Sequence, residues 1–331
     1  MKLNSTTMLL LLILIFSTLF SLSSNNWFGG WMGLEINLIV FIPIIHSSLN
    51  YFSSESSMKY FVIQSMSSSI LILGLIIYSL KLFNNTSIFI MMCSLMMKLG
   101  VAPFHMWLPG VMEGISWFNC IVLSTWQKVA VLVLLSYLIN NFMILLPVLL
   151  SLMIGSIGGI NQSSMKKLMA YSSINNMAWI MMSMTVSTFL WLNYFFYYSF
   201  MISSLMMMMY KMGFNYLNQF FFNSYLSLNK YFILLMMFSL GGLPPLLGFL
   251  PKWMVIQSMI FSCNYMIGFI MIMTSLLTLF YYIRVLIKMI LLNSVEMKWM
   301  KFVFLNYNLF FYFCFINMFG FMLILFIKSF Y

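Results

Sequence analysis

Residues 98–110 read KLGVAPFHMWLPG, and residues 241–253 read GGLPPLLGFLPKW. Each stretch sets Gly, Pro and one lysine inside an apolar run otherwise long enough to cross a membrane. Proline removes a backbone donor and clashes with the preceding helical turn. Unwound backbone at membrane depth is tolerated only where protein buries it or it lines a wet cavity. Broken helices in corresponding places of the two halves of a chain point to a transport fold with its site near the midplane.

Outward from these stretches, apolar runs lie at about 3–22, 27–46, 58–80, 87–108, 116–139, 143–161, 168–186, 189–214, 230–261, 264–292 and 302–328. A span needs about 20 apolar residues, so the expectation is an all-α polytopic membrane protein with eleven transmembrane helices. Helices one to five and six to ten form two units, with the broken member fourth in each, at helices four and nine. Five is odd, so the second unit runs inverted. The expected organisation is one membrane domain over 1–331: a first repeat at 1–139, a second, inverted repeat at 143–292 and a C-terminal helix at 302–328. The first run has the basic start and apolar middle of a secretory signal, but no soluble domain follows it and no small-residue cleavage site is clear. It is read as helix one.

The composition excludes other classes. With 63% hydrophobic and 6% charged residues and a mean hydropathy of +1.04, the 331-residue chain lies far outside the soluble range of about 45–50% apolar and about 25% charged. Soluble enzymes, nucleic-acid binders and disulfide scaffolds are ruled out. The net charge of +11 is dispersed, with no basic run longer than Lys166-Lys167, and reads as topology. Lys2, Lys59, Lys166, Lys167, Lys211, Lys230, Arg284, Lys288, Lys298 and Lys301 fall on the N-terminal side of an eleven-helix arrangement, and only Lys81 and Lys328 on the other. The positive-inside rule then places the N-terminus on the matrix or cytoplasmic face. Trp27, Trp31, Trp117 and Trp299 lie near predicted helix ends, as interfacial anchors do. Thirty-seven Met, 35 Phe, a single Arg and no Asp suggest AT-rich coding under a mitochondrial code. Cys93, Cys120, Cys263 and Cys314 have no metal-ligand spacing, and the Met runs at 180–184 and 206–209 read as helix packing, so no metal site is expected.

Four charged residues fall inside predicted spans: Glu35, Lys98, Lys128 and Lys252. A charge at the bilayer centre costs roughly 2.5–3.5 kcal/mol on insertion scales, so it faces protein or water and usually has a task. One acid and three bases at similar depth suggest a file of protonatable sites parallel to the membrane. Lys98 and Glu35 alternatively form a buried ion pair that only fixes packing. Lys128 and Lys252 have no acidic partner in any span, since Glu55, Glu113 and Glu296 are placed in loops. Desolvation disfavours a buried ammonium and readies it for proton exchange. His105 follows the first break and serves either as a proton relay or as a cap for freed carbonyls; His46 reads as interfacial. Glu113, in MEGISW, caps helix five or lines a proton access.

Five stretches carry a family resemblance: WMGLEINL around Glu35, MKLGVAPFHMWLPGVMEG at 97–114, TWQK at 125–128, MAYSSINNMAW at 169–179 and the GGLPPLLGFLPKW run. In order, they resemble the antiporter-like membrane-arm subunits of NADH:ubiquinone oxidoreductase (respiratory complex I), in the shortened animal form of the subunit 2 group that lacks three N-terminal helices. The match runs from about residue 27 to 285. It implies a proton-translocating role in which Glu35 and Lys98 are the coupled pair of a first half-channel, Lys128 the central relay and Lys252 the site of the second. It implies that this chain carries no flavin, iron–sulfur cluster or nicotinamide, and that FMN, NADH and ubiquinone belong to other subunits. Its expected partners are the other membrane-arm subunits, neighbouring antiporter-like subunits among them, accessory subunits and inner-membrane phospholipids. The expected location is the mitochondrial inner membrane, with the N-terminus in the matrix and the C-terminus in the intermembrane space. The chain indeed has no Gly-rich dinucleotide loop and no clustered Cys. Two unit charges about 4 Å apart at an effective dielectric of about 20 interact by roughly 4 kcal/mol, enough for a change at Glu35 to load or release a proton at Lys98. The other readings are a structural spacer in the membrane arm and a stand-alone cation/proton antiporter.

Overall fold

The computed structural model describes residues 5–46, 50–81, 84–139, 141–219, 227–291 and 311–320. The described residues form α1 (Ser5–Ser23), α2 (Trp27–Ile45), α3 (Tyr51–Ser79), α4 (Asn84–Leu99), α5 (Trp107–Gly114), α6 (Trp117–Ser124), α7 (Trp126–Ser136), α8 (Asn141–Ile160), α9 (Met165–Met184), α10 (Thr188–Met212), α11 (Ser227–Gly241), α12 (Phe249–Phe261) and α13 (Tyr265–Leu291). A further helix, α14, covers Phe311–Gly320. Among the described residues, six stretches are long and apolar enough to cross a membrane: Ser5–Ser23, Trp27–Ile45, Tyr51–Ser79, Trp117–Ser136, Met143–Ile160 and Tyr265–Lys288. The chain is an all-helical polytopic membrane protein.

Large apolar side chains cover the outer faces of its helices, and inside them small and polar residues are buried among apolar ones. On α1, Leu9, Leu12, Phe16 and Leu19 are exposed, whereas Ser17, Thr18 and Ser21 are buried against α2. Lipid is as apolar as leucine, so helices associate through small residues and interhelical hydrogen bonds. A Cβ at Gly33 would stand 2.6 Å from Ser21 Cβ, and Ser17 Oγ donates to Asn37 Oδ1 at 2.5 Å. The serine-rich α3 is possible at membrane depth because its hydroxyls are satisfied within the helix: Ser56, Ser67 and Ser68 each donate to the carbonyl three residues back.

The chain divides after Pro147 into two compact units. In the first, α1 packs on α2 and α3 on α4, while α1, α2, α4 and α6 all meet α7. In the second, α9 packs against α10 and α12, and every residue from Ser172 to Met184 is buried.

Both predicted breaks are present and share a geometry. The first runs from Gly100 to Met106 and the second from Gly242 to Gly248, seven residues each. Gly100 has φ +70° and Gly242 φ +83°, in the left-handed region that glycine enters without a Cβ penalty. Gly100 N–H donates to Met97 O and Val101 N–H to Met96 O; Gly242 N–H donates to Ser239 O and Leu243 N–H to Phe238 O. These paired bonds are the Schellman motif, which takes up carbonyls at a helix end. Three residues after each glycine stands a cis proline, Pro103 or Pro245.

Other expectations are corrected. Glu55 and Glu113 lie on α3 and α5, not in loops. Glu55 pairs with Lys59 one turn on at 2.6 Å, and an exposed face lets a carboxylate ride a helix. The predicted helix at 116–139 is divided at Thr125, where φ is −116° and ψ −74°. Neither Gly nor Pro is responsible. Ser124 Oγ and Thr125 Oγ1 both donate to Ile121 O, at 3.1 and 2.7 Å, and back-bonding of this kind bends helices. Trp117 is buried, so it is not a lipid-facing anchor. Lys2, Lys298, Lys301, Lys328, Glu296, Trp299 and the parts of 302–328 outside α14 lie beyond the described residues.

Candidate functional site

The first unit gathers its charged residues around the break between α4 and α5. Lys98 stands in the last turn of α4 and Lys128 in the first turn of α7, just past the interruption at Thr125. Both are buried, and both line one cavity together with Asn37, Tyr60, Gln64 and Gln127. The cavity offers about 20 Å³ to the centre of a water molecule, and one water requires about 10–15 Å³ on that measure. The carbonyls freed by the break are taken by neutral donors: Trp107 Nε1 donates to Met97 O at 3.1 Å and Gln64 Nε2 to Lys98 O at 3.3 Å. The Lys98 ammonium therefore owes nothing to the backbone of the break.

Glu35 sits midway along α2, half-buried, with Oε1 lacking a hydrogen-bond partner. Its charge acts on Lys98 across space, but the two do not close to the 4.0 Å of an ion pair. The expected Glu35–Lys98 ion pair is thus not closed. His105 is buried within the break, where Nδ1 lies 3.2 Å from Pro103 O, and it does not line the lysine cavity. That contact belongs to the capping alternative.

The second unit builds its site from the opposite side of the break. Lys252 lies on α12, after the unwound segment, and reaches back so that Nζ donates to Gly241 O at 2.8 Å and Leu240 O at 3.3 Å. The ammonium caps the C-terminal end of α11, where the helix dipole favours a cation. It also lies 5.7 Å from the ring centre of Trp179, within cation–π range. Gly242 makes room: a Cβ there would meet Lys252 Cδ at 2.8 Å. Lys252 lines its own cavity, of about 20 Å³ on the same measure, with Asn176, Tyr194, Tyr198 and Ser239.

Several lining residues were not singled out from sequence: Asn37, Tyr60, Gln64, Trp107 and Gln127 in the first unit, and Asn176, Tyr194 and Tyr198 in the second, where Trp179 adds its ring contact with Lys252. Gln64 and Gln127, polar amides inside apolar runs, carried the available signal. Among the described residues, His, Cys and Glu form no group of three suited to a metal.

Comparison with known proteins adds a lineage to this geometry. Residues 24–278 match the family described as NADH:quinone oxidoreductase/Mrp antiporter, TM. The chain is 44% identical over 305 residues to NADH-ubiquinone oxidoreductase chain 2 of Anopheles gambiae, covering 88% of this chain and 87% of that one. It is 39% identical over 311 residues to the chain of the same name in Locusta migratoria, covering 92% and 91%. In fold it is similar to a chain of respiratory complex I from Thermus thermophilus with bound aureothin, with a TM-score of 0.81 at 18% identity over 96% of this chain and 79% of that one. It is likewise similar to a chain of the Mrp complex from Dietzia sp. DQ12-45-1b, with a TM-score of 0.77 at 15% identity over 84% of this chain and 59% of that one.

Proposed function

Since the chain belongs to the NADH:quinone oxidoreductase/Mrp antiporter membrane family, in the group of NADH-ubiquinone oxidoreductase chain 2, we propose that it is a proton-translocating membrane-arm subunit of respiratory complex I. Electron transfer from NADH to ubiquinone takes place in other subunits, and this chain contributes a charge relay to the assembly. Its setting is the mitochondrial inner membrane, with the N-terminus in the matrix, beside neighbouring antiporter-like subunits, accessory subunits and phospholipids. The two five-helix segments act as inverted repeats, each with its own half-channel at a broken helix.

The observation that carries this reading is the pair of buried cavities, one lined by Lys98 and Lys128 and the other by Lys252, each beside a broken helix. Buried lysines beside room for water are what proton transfer at mid-membrane requires. In the first unit Glu35 sets the proton affinity of Lys98 through its charge, and Lys128, on the same cavity, receives the proton. Lys252 holds the proton of the second unit against the carbonyls of Leu240 and Gly241. Replacing Lys128 by Met in the assembled complex lowers the number of protons translocated per NADH oxidised; an unchanged ratio removes Lys128 from the relay.

The carbonyl bonds of Lys252 also favour a second reading, in which this lysine is a clamp that closes the end of α11 and the chain is a spacer. Under that reading Lys252→Met lowers the abundance of assembled complex and leaves the proton ratio intact.

A further inference from the structure

If Lys252 is the proton site of the second unit, as the reading above requires, the carbonyls that hold its ammonium must themselves be held. Leu240 and Gly241 end α11, and unwound chain from Gly242 to Gly248 separates them from α12. Backbone at membrane depth has no water to bond, so its polar groups must find partners within the protein. Most of the second break does so locally: Leu246 N–H donates to Leu243 O, Phe249 N–H to Leu246 O and Leu250 N–H to Leu247 O. Leu247 is served from another helix. Its N–H donates to the backbone carbonyl of Asn317, on α14, at 3.2 Å.

α14 has two unlike faces. Phe311, Phe315 and Phe319 are exposed, with successive ring centres 6.3 and 4.5 Å apart. Cys314 and Asn317, three residues apart on one face, are buried. Asn317 Nδ2 donates to Met236 Sδ, on α11, at 3.2 Å. Cys314 Sγ approaches Phe232 O, one turn earlier on α11, at 3.8 Å, and the ring of Phe313 meets that of Phe200 on α10 at 6.1 Å. Gly320 lets α14 close on the break, since a Cβ there would come within 2.5 Å of Leu247 Cδ1. Asn317 Oδ1 has no partner. A half-satisfied amide is a poor packing device, because an apolar side chain would fill the same place without that penalty.

We propose that Asn317 is a positioning residue for Lys252. Its carbonyl holds Leu247, in the unwound segment that leads into α12 and Lys252. Its amide holds Met236, one turn of α11 before Leu240. One residue of α14 thus ties the first half-helix to the unwound segment and fixes where Lys252 Nζ meets Leu240 O and Gly241 O, at 3.3 and 2.8 Å. Without the amide bond the end of α11 is free to shift against the segment that carries Lys252, and the ammonium loses its fixed seat.

The test is made in the assembled complex in native membranes, with complex abundance and protons translocated per NADH measured separately. The variants are Asn317→Leu, Met236→Leu, Asn317→Leu/Met236→Leu, Lys252→Met and Lys252→Met/Asn317→Leu. Met236→Leu strands no other donor, since Ser204 Oγ, 3.8 Å from Met236 Sδ, keeps its bond to Met201 O at 2.9 Å. Each single leucine variant should lose part of the proton output that Lys252→Met loses. Asn317→Leu/Met236→Leu should regain abundance but stay as low in output as the single variants, because two apolar partners restore packing and not the tie. Lys252→Met/Asn317→Leu should lose no more output than Lys252→Met. If Asn317→Leu fails to assemble, Met236→Leu and the paired leucine variant decide. Full output in the leucine variants, beside a Lys252→Met that loses it, overturns the positioning role and leaves the relay standing. Output that recovers together with abundance in the paired variant overturns it too, because the defect was then an unpaired amide. An additive loss in Lys252→Met/Asn317→Leu does the same, since independent sites add. Undiminished output in Lys252→Met overturns the relay itself, and the positioning role with it.

Discussion

Aligned on their glycines, GVAPFHMWLPGV at 100–111 and GLPPLLGFLPKW at 242–253 coincide at Gly, at both prolines and at the leucine between them. In both, the second half-helix begins seven residues after the glycine. The difference lies in where the lysine comes from. Lys98 stands two residues before Gly100; its counterpart in the second break is Leu240. Lys252 stands ten residues after Gly242; its counterpart in the first break is Gly110. Yet the Lys252 ammonium ends at the carbonyl of Leu240, the position that matches Lys98. The second break thus brings a cation from beyond the unwound segment to the position that the first break fills with a lysine of its own half-helix.

How the freed carbonyls are satisfied separates the two sites further. At the first break an indole and an amide do the work, from Trp107 and Gln64, and Lys98 answers to the charge of Glu35. At the second break the ammonium itself binds the carbonyls, and among the described residues no carboxylate pairs with it. The second lysine is held by the backbone that it caps, and the first is not.

The largest contrast is expected at the residue just before the second half-helix. Gly248 leaves no space: a Cβ would stand 1.8 Å from Ser239 O, although its φ of −68° would suit any residue. Its counterpart Met106 is 78% exposed. Gly248→Ala should destabilise by about 3 kcal/mol or more, since backbone cannot yield as a side chain does, and Met106→Ala should change stability by no more than about 0.5 kcal/mol. The abundance of assembled complex on native gels measures both. Equal abundance would mean that the two breaks are packed alike after all.

How legible these sites are in the sequence depends on contrast. The breaks at 100 and 242 stand out because Gly and Pro have backbone consequences that no neighbour can mask. The interruption at Thr125 does not, because it arises from two hydroxyls sharing the carbonyl of Ile121, and serine and threonine elsewhere in this chain make the same back-bonds without breaking a helix. Lys98, Lys128 and Lys252 are conspicuous as charges in apolar runs. Tyr198, Ser173 and Asn37 are not, since a polar uncharged residue at membrane depth can face a neighbouring helix, its own backbone or a cavity, and only the folded chain decides which. Glu55 and Glu113 mislead for a related reason: a carboxylate on an exposed helix face looks, in one dimension, like a loop residue.

A smaller contrast should separate the two left-handed glycines. Alanine at either position carries about 1–2 kcal/mol of backbone strain. At Gly100 its Cβ would also press on Leu108, at 2.8 and 3.2 Å, and on the Trp107 ring, so Gly100→Ala should lower assembly first. At Gly242 the obstacle is the flexible end of Lys252, which can move aside. Gly242→Ala should therefore assemble nearly as well as the unaltered chain but translocate fewer protons per NADH, because the ammonium is pushed off its carbonyls. If Gly242→Ala reduces abundance alone, capping of α11 by Lys252 is structural.

The finest distinction concerns the two tryptophans. Trp107 Nε1 holds Met97 O, a carbonyl that also accepts from Gly100 N–H, so Trp107→Phe removes one hydrogen bond and strands no acceptor. A loss of about 0.5–1.5 kcal/mol in stability is expected. Trp179 makes no hydrogen bond through Nε1, and its ring lies under the Lys252 ammonium. Phenylalanine attracts a cation less than tryptophan does, by a fraction of the ~0.5–2 kcal/mol that such contacts contribute. Trp179→Phe should accordingly displace the pH profile of proton output, and Trp107→Phe should leave it in place. A profile that moves with Trp107→Phe instead would locate the titrating lysine at the first break, and the backbone-capped Lys252 would then be the passive member of the pair.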